Sequence, residues 1–227
     1  MYRLLIFFLL FFIYSCSSFT TEPKYTITTF EKNNTKILLM PIDIEICELT
    51  IAGICEPNAS WTKESKKNII LGFEEILKNK NASLNKYNKK DQNNEIVQLI
   101  KLHTQMGQEI INNEYGSMEL PTKENFDWSI GNKVKLLKKK HKSDYAIFIF
   151  FRDQYSSTQR VIYNIVTAIL FPGIIPIGGS QLAFASLVNL NTGDIVWFNG
   201  YYRSVGVVRD LKSARDTVSK IFEEFPG

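Results

Sequence analysis

The motifs of several common enzyme classes are missing from this sequence of 227 residues. No serine stands in a G-x-S-x-G turn, no H-E-x-x-H pair occurs, and no glycine-rich phosphate loop follows a predicted strand. Histidine is scarce, with only His103 and His141 in the chain. His103 shares a predicted helix face with isoleucines, which favours a half-buried structural histidine over a general base. These absences argue against an enzyme, and no catalytic residue is assigned.

Cysteine is scarce as well, since the chain contains only Cys16, Cys47 and Cys55. These residues lack the paired Cys-x-x-Cys or histidine spacing of zinc sites, so we expect neither a structural metal nor a cofactor. An odd number of cysteines in a secreted chain requires an explanation. Cys47 and Cys55 lie eight positions apart and can either form a disulfide in an oxidising compartment or remain two thiols.

A strong excess of charge of one sign is also absent. The chain has 27 basic and 23 acidic residues, a net charge of +4, and Arg3 is the only charged residue before position 16. Residues 16–227 therefore carry 26 − 23 = +3, too mild a balance to predict a nucleic-acid partner. Basic residues do cluster at 138–142 (KKKHK), where they suit the C-terminal end of a predicted helix. Contact with anionic lipid headgroups or periplasmic glycans is the alternative.

Finally, the sequence lacks an apolar run of the roughly 20 residues that a helix needs to cross a bilayer. The run at 4–14 (LLIFFLLFFIY) holds 11 residues, follows Arg3 and precedes the small residue Ser15. This arrangement is typical of a secretory signal peptide. An ordinary signal peptide followed by a coincidental cysteine is one interpretation.

The quartet at 13–16 (IYSC) supports a more specific interpretation, because it resembles the lipoprotein box of bacterial lipoproteins. The resemblance implies cleavage before Cys16 and attachment of acyl chains such as palmitate to that residue. Several acyl chains anchor a protein stably, whereas one is marginal. Ser17 stands where inner-membrane retention usually requires Asp, which implies the outer membrane of a Gram-negative bacterium, on its periplasmic side.

Three segments follow from these patterns. Residues 1–15 are predicted to be the signal peptide, and residues 16–35 to be the lipidated cysteine with a flexible, Thr-rich tether. Residues 36–227 have the size of one periplasmic domain with its own core.

Hydrophobic periodicity predicts a mixed α/β domain, with a sheet of about five strands flanked by helices. Strands are expected at 36–46, 82–87, 145–151, 181–190 and 194–202, and helices at 60–80, 96–110, 129–141 and 211–225. The strand at 145–151 (YAIFIFF) is apolar at every position, which indicates that both of its faces are covered. Asn191-Thr192-Gly193 suits a tight turn between the last two strands.

Three stretches carry a resemblance to a group of bacterial envelope lipoproteins of the LpoB and CsgG type. They are Leu39-Met40-Pro41, Asp144-Tyr145-Ala146, and residues 184–197 (FASLVNLNTGDIVW) with their L-x-T-G-x-x-x-W turn. The resemblance covers most of residues 36–225. It implies a sheet flanked by helices, a role in binding, assembly or export, and no catalytic site.

Polar residues near the ends of predicted strands are candidates for a functional site. Asp43 and Glu45 are two positions apart and lie on one face of a predicted strand, where two carboxylates can perform acid–base chemistry or bind a cation. An exposed polar strand face gives the same pattern. Arg152 and Asp153 end the central strand, and an internal ion pair between them is expected.

The stretch at 161–179 (VIYNIVTAILFPGIIPIGG) is unusually apolar. Its first half predicts a helix that ends before Pro172-Gly173. Either this helix is buried under a rigid loop, or it is exposed and contacts a membrane or partner. The contact residues would be Ile162, Ile165, Ile169, Leu170 and Phe171. The stretch lacks the alternation of membrane-crossing β-hairpins, which argues against a CsgG-like pore.

The sequence as a whole predicts a lipid-anchored outer-membrane lipoprotein with a non-enzymatic role in binding or assembly of the cell envelope. Its partners would be the membrane, through the anchor, and an unidentified envelope protein or glycan, with a homo-oligomer as a further option. The alternatives are a CsgG-like oligomeric secretion or pore subunit, and a hydrolase of envelope polymers that uses Asp43 and Glu45.

Overall fold

The computed structural model describes residues 18–30, 34–78, 80, 82–116, 120, 123, 125–172, 178–204 and 208–227. The predicted signal peptide and Cys16 lie outside these residues. Within the described ranges, no helix has the length and apolar character needed to span a bilayer.

Nine strands and five α-helices make up the described part of the chain. The strands are β1 Ser18–Thr20, β2 Lys24–Tyr25, β3 Thr35–Leu39, β4 Asp43–Leu49, β5 Cys55–Pro57, β6 Ala82–Lys86, β7 Tyr145–Ser156, β8 Gln181–Asn189 and β9 Ile195–Arg203. The helices are α1 Ala59–Leu77, α2 Asn94–Ile110, α3 Lys135–His141, α4 Thr158–Leu170 and α5 Leu211–Ile221. A π-helical turn, Ile111–Tyr115, continues α2.

All nine strands belong to one mixed sheet, in which β1, β9, β8, β7, β3 and β6 lie side by side. The neighbours of β7 are β8, which is antiparallel, and β3 and β4, which are both parallel and occupy successive parts of its other edge. Strand β6 extends the sheet parallel to β3, β5 pairs with β4, and β1 and β2 pair with β9. The predicted mixed α/β class, the final hairpin and the C-terminal helix are confirmed.

The sheet has more strands than the five expected, for two reasons. The predicted strand 36–46 is interrupted at residues 40–42 and forms both β3 and β4, because Pro41 has no N–H to donate to a ladder. The other additional strands, β1, β2 and β5, are only two or three residues long, too short to give a periodic signal.

The flexible tether expected at 16–35 is wrong for its described part. Strands β1 and β2 pair with β9, and Thr21 between them is buried. The Thr21 hydroxyl donates to Asn199 Oδ1 at 2.9 Å and accepts from the Gly200 N–H at 2.7 Å. β-branched threonines favour extended backbone, and β9 would otherwise be an unpaired edge. Pairing with β9, together with the buried Thr21, therefore fixes this segment on the edge of the sheet.

Two hydrophobic cores lie on the two faces of the sheet. On one face α1 and α5 pack on alternate residues of the central strands, with Phe73 and Trp197 fully buried. On the other face α2 and α3 cover Phe148, Phe184 and their neighbours. The residues of β7 alternate between the two cores, as the uniformly apolar YAIFIFF predicts. Helix α4 belongs to neither core.

Side-chain caps fix where the helices begin. Asn58 accepts from the Trp61 N–H and caps α1, which begins at Ala59, one residue before the predicted start at residue 60. Asp210 accepts from the Ser213 N–H and caps α5, which begins at Leu211, the predicted start of this helix. The helix expected from residue 129 starts only after Gly131, whose φ of +80° is incompatible with a helix.

Candidate functional site

Helix α4 is the most exposed apolar element in the described structure. None of its residues is buried, and the exposed fractions reach 70% for Ile169 and 64% for Leu170. The expectation of a buried helix at this position is therefore wrong. The five expected contact residues are all exposed: Ile162, Ile165, Ile169, Leu170 and Phe171. Residues 173–177 of the same apolar stretch lie outside the described residues.

The apolar and polar faces of α4 are oriented oppositely to those of an ordinary surface helix. Arg160, Asn164 and Thr167 are its half-exposed residues, and they follow one another at helical spacing. The remaining positions from 161 to 170 are all exposed, and all of them are apolar or aromatic. A surface helix normally turns its apolar stripe inward. Here the domain faces the polar stripe, and the apolar residues face outward.

Hydrogen bonds attach α4 to the end of the sheet. The helix is capped by Ser157, whose hydroxyl accepts from the Arg160 N–H and whose own N–H donates to the Leu49 carbonyl at 3.0 Å. Arg160 Nη1 donates to the carbonyl oxygens of Thr50 and Ile51 at 3.0 and 3.2 Å. These contacts hold the start of α4 beside the loop between β4 and β5.

That loop, residues 50–54, adds two exposed apolar side chains next to the helix. Ile51 is 49% and Ile54 is 61% exposed. The loop closes on itself, because the Ile54 N–H donates to the Thr50 hydroxyl and the Gly53 N–H donates to the Thr50 carbonyl. We refer to α4 and the 50–54 loop together as the apolar end of the domain.

A disulfide fixes the base of this loop. Cys47 and Cys55 are bonded in the structure, with their Cα atoms 5.4 Å apart. The bridge joins β4 to β5 directly beneath the loop, since Leu49 is paired with Cys55 in the ladder. Of the two states left open by the sequence, the structure therefore contains the bridged one.

The polar residues near the strand ends form an ion pair, with partners that differ from those expected. Arg152 Nη2 donates to Asp43 Oδ1 at 2.8 Å, and the Thr104 hydroxyl donates to Asp43 Oδ2 at 3.0 Å. The expected pair between Arg152 and Asp153 is wrong, because neighbouring residues of a strand point to opposite faces of the sheet. Glu45 is exposed, so only one carboxylate of the predicted pair is held in a network.

Asp153 lies on the other face and is buried. Its Oδ2 accepts from Gln181 Nε2 at 3.0 Å, and Thr217 donates to the Oε1 of the same glutamine at 3.3 Å. Burial raises the pKa of Asp153, which the hydrogen bond from Gln181 opposes. The residue thus stabilises the contact between the sheet and α5.

His103 is buried, more deeply than the half-burial expected, and packs against two aromatic rings. Its ring stacks on Phe148 at a centroid distance of 4.9 Å, and Nε2 lies 2.8 Å from the Ser186 hydroxyl. Burial lowers the pKa of His103 to about 3, and the negative charge of Asp43 acts in the opposite direction. The ring is therefore neutral at physiological pH and is inaccessible to a substrate.

Lysines surround an open groove at the other end of the sheet. The groove encloses about 660 Å³ and is lined by Lys135, Lys138, Lys139 and Lys142 together with Ser143, Asp144, Leu190 and Asn191. Its position agrees with the helix C-terminus predicted from the KKKHK run. Within the described ranges, no three His, Cys, Asp or Glu side chains are grouped closely enough to hold a metal ion.

Sequence reasoning identified α4 but missed the parts that complete the apolar end. Ile51 and Ile54 stand in an ordinary loop sequence without periodicity, so only their position beside α4 reveals them. Arg160 falls one position before the apolar stretch at 161–179, so the apolar character of that stretch does not point to it. The 3–4 residue spacing of Arg160, Asn164 and Thr167 shows that they share one face of the helix, but the spacing does not show that this face is turned inward.

Comparisons with known proteins find only distant structural likeness. No protein-family model and no curated protein matches this chain. A PelC dodecamer from Paraburkholderia phytofirmans has 10% sequence identity and a TM-score of 0.36, with 92% of this chain and 95% of that chain covered. The LpoB C-terminal domain from Salmonella enterica has 14% identity and a TM-score of 0.27, with 76% and 86% covered. Likeness this remote indicates neither a shared function nor a shared assembly.

Proposed function

We propose that this chain is a lipid-anchored lipoprotein of the bacterial outer membrane, and that its α/β domain acts by binding other envelope components. The exposed apolar face of α4 is the observation that carries the proposal. A soluble domain rarely leaves a contiguous apolar surface in water unless that surface has a partner. Burying each large aliphatic side chain of this face would contribute about 1.5–3 kcal/mol.

The polar residues support binding rather than catalysis. The Asp43 carboxylate is engaged by Arg152 and Thr104, and His103 is enclosed beneath α2. A hydrolase that depends on Asp43 and Glu45 would need both carboxylates to face a substrate, whereas the Asp43 carboxylate is already bonded to Arg152 and Thr104.

The anchor follows from the sequence. The IYSC quartet gives the acylation site at Cys16, and the short apolar run before it gives the export signal. An exported chain would meet an oxidising periplasm, in which the Cys47–Cys55 bridge is stable. In this compartment the basic groove would be available to an anionic glycan or an acidic protein surface.

Photocrosslinking in intact Gram-negative cells tests the proposed contact surface. A photoreactive amino acid replaces Ile165 in the full chain, and a matched control carries it at Leu102. These positions are 55% and 42% exposed, but Leu102 lies on α2, away from the apolar end. We expect the Ile165 probe to give adducts with envelope components in at least several-fold higher yield than the control.

Two results would contradict the proposal. Equal adduct yields at the two positions would show that α4 is not a contact surface. A chain that fractionates with soluble proteins and does not incorporate labelled palmitate would show that the anchor is absent.

A further inference from the structure

The strand register determines which end of the domain the N-terminal segment approaches. Ser18 of β1 is paired with Arg203 of β9, and Arg203 is paired with Gln181 of β8. Gln181 is in turn paired with Asp153 of β7. These four residues form one row across the sheet, only three residues before β7 ends at Ser156 and the chain enters α4.

The direction of β1 reinforces this placement. From Ser18 to Thr20 the strand passes from Arg203 back to Tyr201, so it runs antiparallel to β9. Because β9 and β7 are each antiparallel to β8, β1 also runs opposite to β7. The backbone at Ser18 therefore points, in the N-terminal direction, toward the end of the sheet from which α4 extends.

Little chain separates this row from the proposed acylation site. Cys16 precedes Ser18 by two residues, which span at most about 7 Å. Three strand spacings separate β1 from β7, or about 14 Å across the sheet. An anchor at Cys16 would hold the apolar end, rather than the basic groove, near the bilayer.

The length of α4 limits how it can meet lipid. Thirteen residues extend about 20 Å, less than the roughly 30 Å of the hydrocarbon core. The helix can therefore enter the interface between headgroups and acyl chains but cannot cross the membrane.

The residues behind the apolar end suit the headgroup region. Arg209 stacks on Trp61 and Tyr155, with its guanidinium carbon 4.2 Å from the centre of each ring. Tryptophan, tyrosine and arginine are typical of membrane interfaces. Glu48 and Glu56 are paired across the β4–β5 ladder, and these carboxylates must remain in water. They limit the depth to which the apolar end can enter.

From this arrangement we propose that the apolar end docks on the periplasmic leaflet of the membrane that holds the anchor. The apolar residues of α4, with Ile51 and Ile54, enter the interface, and the basic groove projects away from it. The inference rests on the proposed acylation of Cys16.

Strand β7 spans 12 residues and separates the apolar end from the basic groove by about 40 Å.

Lipid quenching of a fluorescent label tests the docking. The acylated full chain is purified from membranes and reconstituted in phosphatidylethanolamine–phosphatidylglycerol vesicles. Single cysteines for an environment-sensitive dye are introduced as Ile165→Cys, Leu102→Cys and Leu136→Cys. The three native cysteines do not react with the dye, because Cys16 is acylated and Cys47 is bonded to Cys55. Leu136 is exposed beside the basic groove, and Leu102 lies between the ends.

We expect lipids that carry a nitroxide near the top of the acyl chain to quench the label at 165 at least threefold more strongly than the labels at 102 and 136. A label at 165 that is quenched no more than the other two, on protein that remains with the vesicles, would overturn the docking and leave the anchor intact. A blue-shifted but unquenched label at 165 would also overturn it, because a protein rather than lipid would cover α4. Protein that lacks acyl groups and leaves the vesicles would instead refute the proposed anchor.

Discussion

Buried polar residues explain most of the sites that sequence reasoning left ambiguous. Spacing on α2 correctly placed His103 among apolar residues. It could not reveal that His103 packs against Phe148 and Phe184, which belong to strands distant in the sequence. Alternation on a strand correctly put Asp43 and Glu45 on one face. The partner of Asp43, Arg152, is 109 positions away and becomes a neighbour only through the parallel pairing of β4 with β7.

Stability should depend on pH through His103. Its pKa is about 3 in the folded chain and about 6.5 when unfolded, so between these values the unfolded state binds the additional proton. The stability that the neutral, buried ring of His103 contributes is therefore fully present above pH 6.5 and is lost as the pH falls below that value. At pH 5 the free energy of unfolding should be about 2 kcal/mol lower than at pH 8 from this residue.

Urea unfolding at a series of pH values measures this effect, with His103→Gln as the matched variant. The variant retains a group that can bond to Ser186, and its stability should vary less between pH 8 and pH 5. The difference between the two curves isolates His103 from other titrating groups such as Asp153. Parallel curves would contradict the burial of a neutral ring.

The ion pair between Asp43 and Arg152 should stabilise the fold modestly. Both side chains are about one-third exposed, so solvent screening limits their coupling to about 1 kcal/mol. A double-mutant cycle with Asp43→Asn and Arg152→Met measures it. Glu45→Gln is the control and should change stability by less than about 0.5 kcal/mol, because Glu45 is exposed. A larger loss for Glu45→Gln than for Asp43→Asn would contradict the observed pairing.

At the scale of elements, periodic segments were predictable and short or non-periodic ones were not. The apolar strand β7 and the amphipathic helices α1, α2 and α5 carry strong patterns, and all were predicted. Strands β1, β2 and β5 are held by pairing with β9 and β4, and such long-range pairing leaves no local signal. The exposure of α4 depends on where the chain leaves the sheet, which periodicity does not encode.

The close approach of α2 to the sheet depends on Gly107. A Cβ atom at this position would lie 2.1 Å from a ring carbon of the fully buried Phe184. Gly107→Ala should therefore destabilise the domain by about 1–3 kcal/mol through overpacking, although alanine is the better helix former by about 1 kcal/mol. Thermal or urea unfolding measures the change. Gly178→Ala is the control, since nothing lies within 4 Å of its added Cβ, and equal losses would contradict the packing.

The disulfide should stabilise the loop of the apolar end. A bridge that closes a loop of this length contributes about 2–3 kcal/mol by limiting the unfolded chain. Replacing both Cys47 and Cys55 by alanine should lower the free energy of unfolding by this amount. Adding reductant should lower the stability of the native chain and leave the double variant unchanged. A native chain that is insensitive to reductant under unfolding conditions would contradict the bridge.

At the scale of the whole molecule, the two ends of the sheet have opposite chemistry. Exposed aliphatic side chains surround the C-terminal end of β7, and lysines surround its N-terminal end. The sequence contained both signals, as the stretch at 161–179 and the run at 138–142. Their separation to opposite ends emerges only from the direction of β7, which lies between them in the chain. A lipid anchor at Cys16 would give this polarity a fixed orientation in the envelope.

The intact mass of the chain, purified from the envelope of a Gram-negative host, tests the proposed lipid anchor at Cys16 most directly. We predict the mass of residues 16–227 plus several fatty acyl groups, with fragmentation placing the modification on Cys16. A chain that still carries residues 1–15, or that has an unmodified Cys16 thiol and is recovered from a soluble fraction, would contradict it.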